Sequence, residues 1–282
     1  MIEIDPVERH LFLEGIFLRY GYDFRQYSEA SLGRRLNDIL FRSNQTSLLE
    51  ILKRVLESPA FFREILPLLT IGTSEFFRDP LFFRAIRQHV FPILKTYPTL
   101  KIWTAGCSTG QEVMSIAIAL QEEGLYDRTT IYATDINPQV LKQAREGIYD
   151  AHNFETFTRN YTLAGGVCSP SDYYTADYGL VRFDPNLRRN VVFSEHNLVT
   201  DSVFCEAHLI LCRNVMIYFN RELQQRVFHL FNQSLAYRGF LGIGSKESIR
   251  FSGVSAQYAN LESQLNLFQK KASFAALVEE EA

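Results

Sequence analysis

The sequence predicts an α/β protein with a doubly wound, mostly parallel β-sheet, a helical bundle ahead of the sheet and a small antiparallel β insert within it. Three observations predict this fold class. Residues 1–68 repeat apolar side chains at helical spacing between residues that start and stop helices. From residue 69 onward, short apolar runs alternate with amphipathic segments, as in strands joined by helices. Around residues 172–190, aromatic and β-branched side chains follow without a helical period, which indicates the insert.

Residues 1–68 form the first predicted domain, a bundle of four short helices. The first helix begins at Asp5, where Asp5 can cap, Pro6 suits the first helical position and Glu8 can reach back to the backbone of the cap. The other three helices are predicted to begin at Ser28, Thr46 and Ser58.

Residues 69–282 form the second predicted domain. Its predicted strands are 101–105, 130–134, 208–212 and 240–243, and the insert is expected to end on a core strand at 191–193. Its predicted helices are 82–94, 112–123, 138–146 and 221–237. The acidic tail, Glu279–Glu281, is expected to be solvated.

Composition argues against several classes of protein. Lys and Arg number 29 and Asp and Glu 32, so the net charge is -3 and the basic surplus typical of a nucleic-acid binder is missing. The apolar runs are too short to cross a bilayer, and the first residues do not resemble a signal peptide. The 4 cysteines and 6 histidines fit no metal-ligand spacing. We therefore expect a monomeric cytoplasmic protein that binds no nucleic acid or metal and does not insert into membranes.

A turn of small residues joins the strand 101–105 to the next helix. The residues Gly106 to Gly110 allow a ligand to approach the backbone, and the helix start adds free N–H groups. The turn contains neither a Walker A loop nor GxGxxG. Glu112 follows in the first helical turn, where a carboxylate repels a pyrophosphate but can pair with a cation. The ligand predicted here has a positive end and no pyrophosphate.

An acidic residue, Asp135, ends the next predicted strand. In doubly wound folds a carboxylate at this place holds ribose hydroxyls. A ribose together with a cationic group suggests S-adenosylmethionine. The alternative is structural: Gly110 only makes a turn, and Asp135 only caps the helix that begins at Pro138.

Four stretches give the chain a resemblance to a known family. It resembles the chemotaxis receptor glutamate methyltransferases, the CheR family, along nearly its whole length. The stretches are Ser74-Glu75-Phe76-Phe77-Arg78-Asp79-Pro80, Ala105-Gly106-Cys107-Ser108-Thr109-Gly110-Gln111-Glu112, Ala133-Thr134-Asp135-Ile136 and Cys212-Arg213-Asn214-Val215-Met216-Ile217-Tyr218-Phe219.

The resemblance implies a class I methyltransferase fold, S-adenosylmethionine as cofactor and S-adenosylhomocysteine as product. It also implies that the acceptors are glutamate side chains on the cytoplasmic signalling helices of chemotaxis-type receptors. Together with the turn at Gly110, the implied cofactor-binding residues are Ser74, Arg78, Gly110, Glu112, Asp135, Asn197, Leu198, Arg213 and Asn214. The chain departs from the family at Gly72, Ser74 and His208, where members commonly carry Asn, Thr and Asp. The change at Gly72 bears on one cofactor hydrogen bond that the resemblance implies.

Methylation of a carboxylate needs no general base, because a glutamate with a pKa of ~4.3 is already ionised at neutral pH. The protein has to align the acceptor with the methyl group and exclude water. Arg78 and Tyr218 are the predicted catalytic residues. The alternative for Tyr218 is a half-buried aromatic beside the sheet.

Further expectations concern the acceptor. Arg34, Arg35 and Arg42 could form a basic helix face of the kind that docks receptor helices in the family, or simply a solvated face. The connection 174–179 in the insert is short, so we expect no need for a receptor tail peptide. Two functional alternatives remain open: a non-catalytic sensor or scaffold that binds the cofactor, and a methyltransferase that acts on another carboxylate.

Overall fold

Helices come first in the chain and a β-sheet follows, in a computed structural model that describes residues 4–70, 72, 74–262 and 264–272. The tail Glu279–Glu281 lies outside these residues. The helices are α1 (Pro6–Tyr20), α2 (Glu29–Arg42), α3 (Leu48–Glu57), α4 (Pro59–Leu69), α5 (Pro80–Ala85), α6 (Phe91–Leu94), α7 (Gln111–Glu122), α8 (Pro138–Glu146), α9 (Glu155–Leu163) and α10 (Arg221–Ser234). The strands are β1 (Leu100–Ala105), β2 (Thr129–Asp135), β3 (Ile148–Asp150), β4 (Tyr174–Asp177), β5 (Leu180–Phe183), β6 (Val191–Glu195), β7 (Ala207–Cys212), β8 (Leu235–Ile243), β9 (Tyr258–Glu262) and β10 (Leu267–Lys270). Among these described residues, no helix is both long and apolar enough to span a membrane.

The helix starts of the bundle show how short polar side chains set local structure. Asp5 caps α1 as predicted, with Oδ1 accepting from the N–H of Val7 at 2.6 Å. The prediction for Glu8 was wrong: its carboxylate accepts from Ser47 Oγ and from the N–H of Leu48, at the start of α3. Ser47 is the cap of α3, one residue after the predicted Thr46. Glu8 therefore joins α1 to α3, which pack side by side around a buried apolar core.

The main sheet confirms the predicted doubly wound fold. Its strand order is β6-β2-β1-β7-β8-β10-β9, with parallel pairing from β6 to β8 and an antiparallel end formed by β10 and β9. From β1, the chain winds first toward β6 and then, from β7, toward the other edge. The carboxyl ends of β1 and β7 therefore lie at a topological switch point, where open α/β sheets bind their ligands.

Two element boundaries differ from the predictions. The helix predicted to reach Tyr237 ends at Ser234, and β8 begins directly at Leu235 rather than at Phe240. Leu235 and Ala236 are buried, so their apolar character fits a helix and a strand equally well. The predicted core strand at 191–193 is β6, which is an edge strand of the main sheet and, among the described strands, pairs with β2 alone.

The small antiparallel sheet, in the order β3-β5-β4, reaches beyond the predicted insert. Its hairpin β4–β5 lies within 172–190, but β3 comes from residues before α9, a helix that the pattern did not predict. The buried face of this sheet packs Phe183 against Phe76, with ring centroids 4.9 Å apart. Because Phe76 belongs to the loop between α4 and α5, the small sheet packs against that loop.

Candidate active site

A single cleft at the carboxyl ends of β1, β2 and β7 brings the predicted site residues together. Its empty volume is about 930 Å³, including the solvent at its mouth. Apart from Gly110, every predicted site residue lines it: Ser74, Arg78, Glu112, Asp135, Asn197, Leu198, Arg213, Asn214 and Tyr218. Side chains from the bundle, Tyr27 and Arg35, line the same cleft.

Gly110 shapes the cleft without lining it. It precedes α7 in the left-handed region, with φ at 91°. A Cβ there would lie 2.8 Å from Cβ of Ala144 and 3.2 Å from Oη of Tyr149, so a side chain has no room. Gly110 thus lets α7 start close against α8, in agreement with the structural alternative for this residue.

Asp135 anchors the turn that follows β1. Its Oδ2 accepts from the N–H of Ser108 and its Oδ1 from the N–H of Asn137, both at 2.9 Å. Burial raises the pKa of Asp135, although these N–H groups favour the charged form. The cap of α8 is Asn137, whose Oδ1 accepts from Gln139, so capping is not the task of Asp135. The carboxylate, with about four lone-pair sites, keeps capacity for a further donor.

Arg213 links two elements of the cleft wall. Its Nη1 donates to Oε2 of Glu112 at 2.8 Å, and its Nη2 donates to Oδ2 of Asp79 at 2.6 Å and to the carbonyl of Arg78 at 2.9 Å. The guanidinium also lies 4.3 Å from the ring centroid of Phe82. Both terminal nitrogens of Arg213 thus donate to protein groups. These bonds connect α7 with the loop that precedes α5.

That loop holds Arg78 between two residues in left-handed backbone conformations. Phe77 has φ at 48° and Asp79 has φ at 55°, both unusual for residues other than glycine. The N–H of Phe77 donates to Ser115 Oγ at 2.8 Å, which fixes the loop on α7. The side chain of Arg78 makes no hydrogen bond or ion pair with other described residues. It is therefore available to a ligand in the cleft.

Asn197 and Leu198 line the cleft just beyond β6. Oδ1 of Asn197 accepts from the N–H of Val199 at 3.0 Å, and the N–H of Asn197 donates to Asp201 at 2.8 Å. These bonds close a tight local turn. The turn places Leu198 and Asn197 in the wall of the cleft.

Sequence reasoning missed Glu247, which supports the loop that contains Asn214. Its carboxylate accepts from the backbone N–H groups of Val215 at 2.9 Å, Met216 at 2.8 Å and Gly244 at 2.5 Å. Burial raises the pKa of Glu247 against these bonds. Its position shortly after β8 was a usable signal, since Asp135 likewise ends a strand at this edge.

Arg35 points into the cleft and is not part of an exposed basic face. Arg34 and Arg42 are exposed, whereas Arg35 is 6% exposed, so the predicted three-residue face was wrong. Its guanidinium lies 4.6 Å from the ring centroid of Tyr218 and 5.7 Å from that of Tyr27. Its Nη1 donates to the carbonyl of Leu69, while Nε and Nη2 are buried and have no hydrogen-bond partner among the described residues.

Within the described part of the chain, Arg35 has no carboxylate partner. Burial accordingly lowers its pKa. A buried guanidinium without a counter-ion is unfavourable, and an anionic ligand in the cleft would compensate it.

Over the same described residues, no group of three or more His, Cys, Asp or Glu side chains is placed to hold a metal ion.

Comparison with known proteins decides the family. The family model for the CheR methyltransferase, SAM binding domain, matches residues 72–265. The chain belongs to the CheR methyltransferase family. The CheR domain is a class I methyltransferase α/β fold, and its cofactor is S-adenosylmethionine.

Relatives match along most of the chain. The Pseudomonas putida protein Cher3, assigned only provisionally as a methyltransferase, is 49% identical over 264 residues, covering 94% of this chain and 97% of its own. Chemotaxis protein methyltransferase 1 of Vibrio cholerae is 30% identical over 240 residues, 80% of this chain and 82% of its own. The Listeria monocytogenes chemotaxis protein methyltransferase is 29% identical over 231 residues, with 81% and 85% covered.

One solved structure resembles the chain at low sequence identity. The N-methyltransferase NodS from Bradyrhizobium japonicum, in complex with S-adenosylhomocysteine, is 12% identical. It covers 70% of this chain and 89% of its own, with a TM-score of 0.40. This likeness is too low to carry a conclusion.

Proposed function

We propose that this CheR methyltransferase transfers methyl groups to glutamate side chains on the cytoplasmic signalling helices of chemotaxis-type receptors. The observation that carries the proposal is the buried Arg35, which faces the cleft beside Tyr218 and has no carboxylate partner in the described part of the chain. An acceptor carboxylate would supply the missing counter-ion, whereas a neutral amine or thiol acceptor would not. The names of the Vibrio and Listeria relatives support a chemotaxis acceptor.

The cleft residues then divide between cofactor and acceptor. We assign Ser74, Arg78, Glu112, Asp135, Asn197, Leu198, Arg213 and Asn214 to the cofactor side, with Gly110 shaping the turn. Asp135 would accept from ribose hydroxyls, and Glu112 would attract the ammonium group of the amino-acid end. We assign Tyr218 to the acceptor, because its ring lies against Arg35 and its loop is held by Glu247. Arg78 would serve both sides, since its side chain makes no hydrogen bond or ion pair with other described residues.

The chemistry asks little of the protein beyond alignment. When bound, S-adenosylmethionine supplies a methyl group on a sulfonium; its C–S bond breaks as the C–O bond to the carboxylate forms, and no proton moves. Arg35 and Tyr218 would hold the carboxylate in line, and the walls of the cleft would exclude competing water.

Methyl labelling tests this proposal. The protein is incubated with methyl-labelled S-adenosylmethionine and membranes that contain the receptors of the host. Methyl esters of carboxylates release methanol in alkali, whereas N-methyl and S-methyl groups do not. We expect the label to enter receptor bands and to leave as methanol. An alkali-stable label would contradict the carboxylate acceptor, and cofactor binding without any labelling would favour the scaffold alternative.

Variants of the bundle identify the acceptor contact. Arg35→Met should lower the rate of labelling about tenfold or more, because a charge-assisted contact is lost. Its affinity for S-adenosylhomocysteine should change much less. Arg19→Met, an exposed arginine of α1, is the control and should label at the wild-type rate. Equal rates for Arg35→Met and Arg19→Met would contradict the role of Arg35.

A further inference from the structure

Asp79, Arg213 and Glu112 form a row of charges at the wall of the cleft. The guanidinium of Arg213 lies between the two carboxylates, 2.6 Å from Asp79 Oδ2 and 2.8 Å from Glu112 Oε2. The Arg213 side chain is 2% exposed, so water screens its charge poorly. The partners differ in exposure: Asp79 is 41% exposed, whereas Glu112 is 16% exposed and lines the cleft.

The row contains one positive and two negative groups, so its net charge is negative. Without Asp79, Arg213 would pair with Glu112 alone, and the Arg213–Glu112 pair would be neutral. With Asp79 present, Glu112 shares that guanidinium. Its second oxygen, Oε1, also accepts no hydrogen bond from the described residues. Glu112 therefore keeps negative charge on the side of the cleft.

The sequence Asp79-Pro80 resembles an ordinary helix start, in which the aspartate side chain caps the helix. In the structure, the side chain of Asp79 does not cap α5. Asp79-Pro80 begins α5 as Asp5-Pro6 begins α1, yet only Asp5 accepts a capping hydrogen bond through its side chain. Asp79 instead adopts a left-handed backbone conformation, and its carboxylate turns to Arg213. The charge of Asp79 thus serves the cleft wall and not the helix.

We propose that Asp79 is a positioning residue for the cofactor. By pairing with Arg213, it leaves the charge of Glu112 available to the ammonium group at the amino-acid end of the cofactor. This inference rests on the proposed placement of the cofactor in the cleft. It adds a residue that acts through Arg213 and Glu112 and does not itself touch the cofactor.

Calorimetry with two ligands tests the inference. S-adenosylhomocysteine carries the amino-acid end, and 5′-methylthioadenosine lacks it. Asp79→Asn removes the charge and suits the left-handed backbone, which asparagine adopts readily. We expect Asp79→Asn to raise the Kd for S-adenosylhomocysteine about tenfold, in the range of a charge-assisted hydrogen bond. The Kd for 5′-methylthioadenosine should stay within about twofold of wild type.

The outcomes separate the possible causes. Equal weakening of both ligands would show that Asp79 merely shapes the loop, and an unchanged Kd for S-adenosylhomocysteine would show that its charge is irrelevant; either overturns the inference. Asp79→Ser gives the same readout if Asp79→Asn does not fold. Asp5→Asn, in the same Asp-Pro context, is the matched control and should alter neither Kd. Failure of the wild type to bind S-adenosylhomocysteine would instead overturn the proposed placement of the cofactor.

Discussion

At the scale of single residues, Asp135 has two tasks that depend on the same carboxylate. It holds the turn after β1 through the N–H of Ser108, and it faces the cleft in which the ribose is proposed to bind. Both tasks require acceptor oxygens, and the charged form serves both best. The environment is nevertheless unfavourable for that form, because burial raises the pKa of Asp135.

Two substitutions at Asp135 should weaken cofactor binding to different degrees. Asp135→Ala removes every acceptor and leaves the N–H groups of Ser108 and Asn137 without a partner, so the Kd for S-adenosylhomocysteine should rise about 10- to 100-fold. Asp135→Asn keeps one acceptor oxygen and should raise the Kd less. Isothermal titration of the three proteins measures the series. Equal Kd values for wild type and Asp135→Ala would remove Asp135 from the cofactor site.

Acidification should weaken cofactor binding, as the substitutions at Asp135 do. The ribose hydroxyls need the charged carboxylate, so the affinity for S-adenosylhomocysteine should fall as pH drops through the pKa of Asp135. Because that pKa is raised, the fall should begin above 3.8, the usual value for an aspartate. Titrations at stepped pH measure it, with Asp135→Asn as control. A wild-type profile that parallels the Asp135→Asn profile would contradict this assignment.

The cleft residues that could be predicted from sequence are those whose position follows from nearby residues in the chain. The positions of Glu112 and Asp135 in the cleft were predictable because each stands at a fixed offset from a strand end. Arg35 and Asp79 were not, since their contacts with Tyr218 and Arg213 join elements far apart in the chain. The helical period places Arg35 nearer the apolar side of α2 than Arg34, but it cannot show the contact of Arg35 with Tyr218 in the cleft.

At the scale of elements, α1 and α3 are joined by one carboxylate. Glu8 accepts from Ser47 Oγ at 2.8 Å and from the N–H of Leu48 at 2.9 Å. Glu8→Gln leaves a single acceptor oxygen and no charge at the positive end of α3, so unfolding should become easier by about 1 kcal/mol. Denaturant unfolding measures the change, with the exposed Glu64→Gln as control. Equal stabilities for the two variants would show that the contact contributes nothing.

The hairpin of the small sheet bears on how the enzyme finds its acceptor. Tyr178 and Gly179 alone connect β4 and β5, both with positive φ, which makes a tight two-residue turn. The outer strand β4 has four residues, so a peptide added at its free edge would form few main-chain hydrogen bonds. We expect C-terminal pentapeptides of the host's receptors not to bind. Micromolar binding of any of them in calorimetry would overturn this expectation and make the small sheet a docking site.

Helices and strands were predictable where the spacing of their apolar residues fits one structure and turn signals mark their ends. The strands 101–105 and 130–134 stand between clear turn signals, and they agree with β1 and β2 to within one residue at each end. The end of α10 was not predictable, because apolar residues such as Leu235 and Ala236 fit a buried helix and a buried strand equally well. β3 was missed because three residues are too few to show alternation, and its strand pairing is with β5, about thirty residues away.

At the scale of the whole molecule, distant parts of the chain form one cleft. Tyr27 and Arg35 come from the bundle, and Tyr218 comes from the loop after β7. Backbone contacts join the two: the N–H of Ser28 donates to the carbonyl of Tyr218 at 2.8 Å, and the N–H of Asn220 donates to the carbonyl of Gln26 at 2.8 Å. A ligand in the cleft therefore contacts walls that only the folded chain assembles.

Cofactor binding should accordingly stabilise the whole protein. The unfolded chain brings none of these walls together, so S-adenosylhomocysteine binds the folded state alone. At a ligand concentration 100-fold above its Kd, linkage adds ~2.7 kcal/mol to the free energy of unfolding. Thermal and denaturant unfolding with and without the ligand measure this gain. Asp135→Ala at the same ligand concentration should gain clearly less, since its Kd is higher. An unchanged unfolding transition of the folded wild type at saturating ligand would show that the cleft does not hold this cofactor.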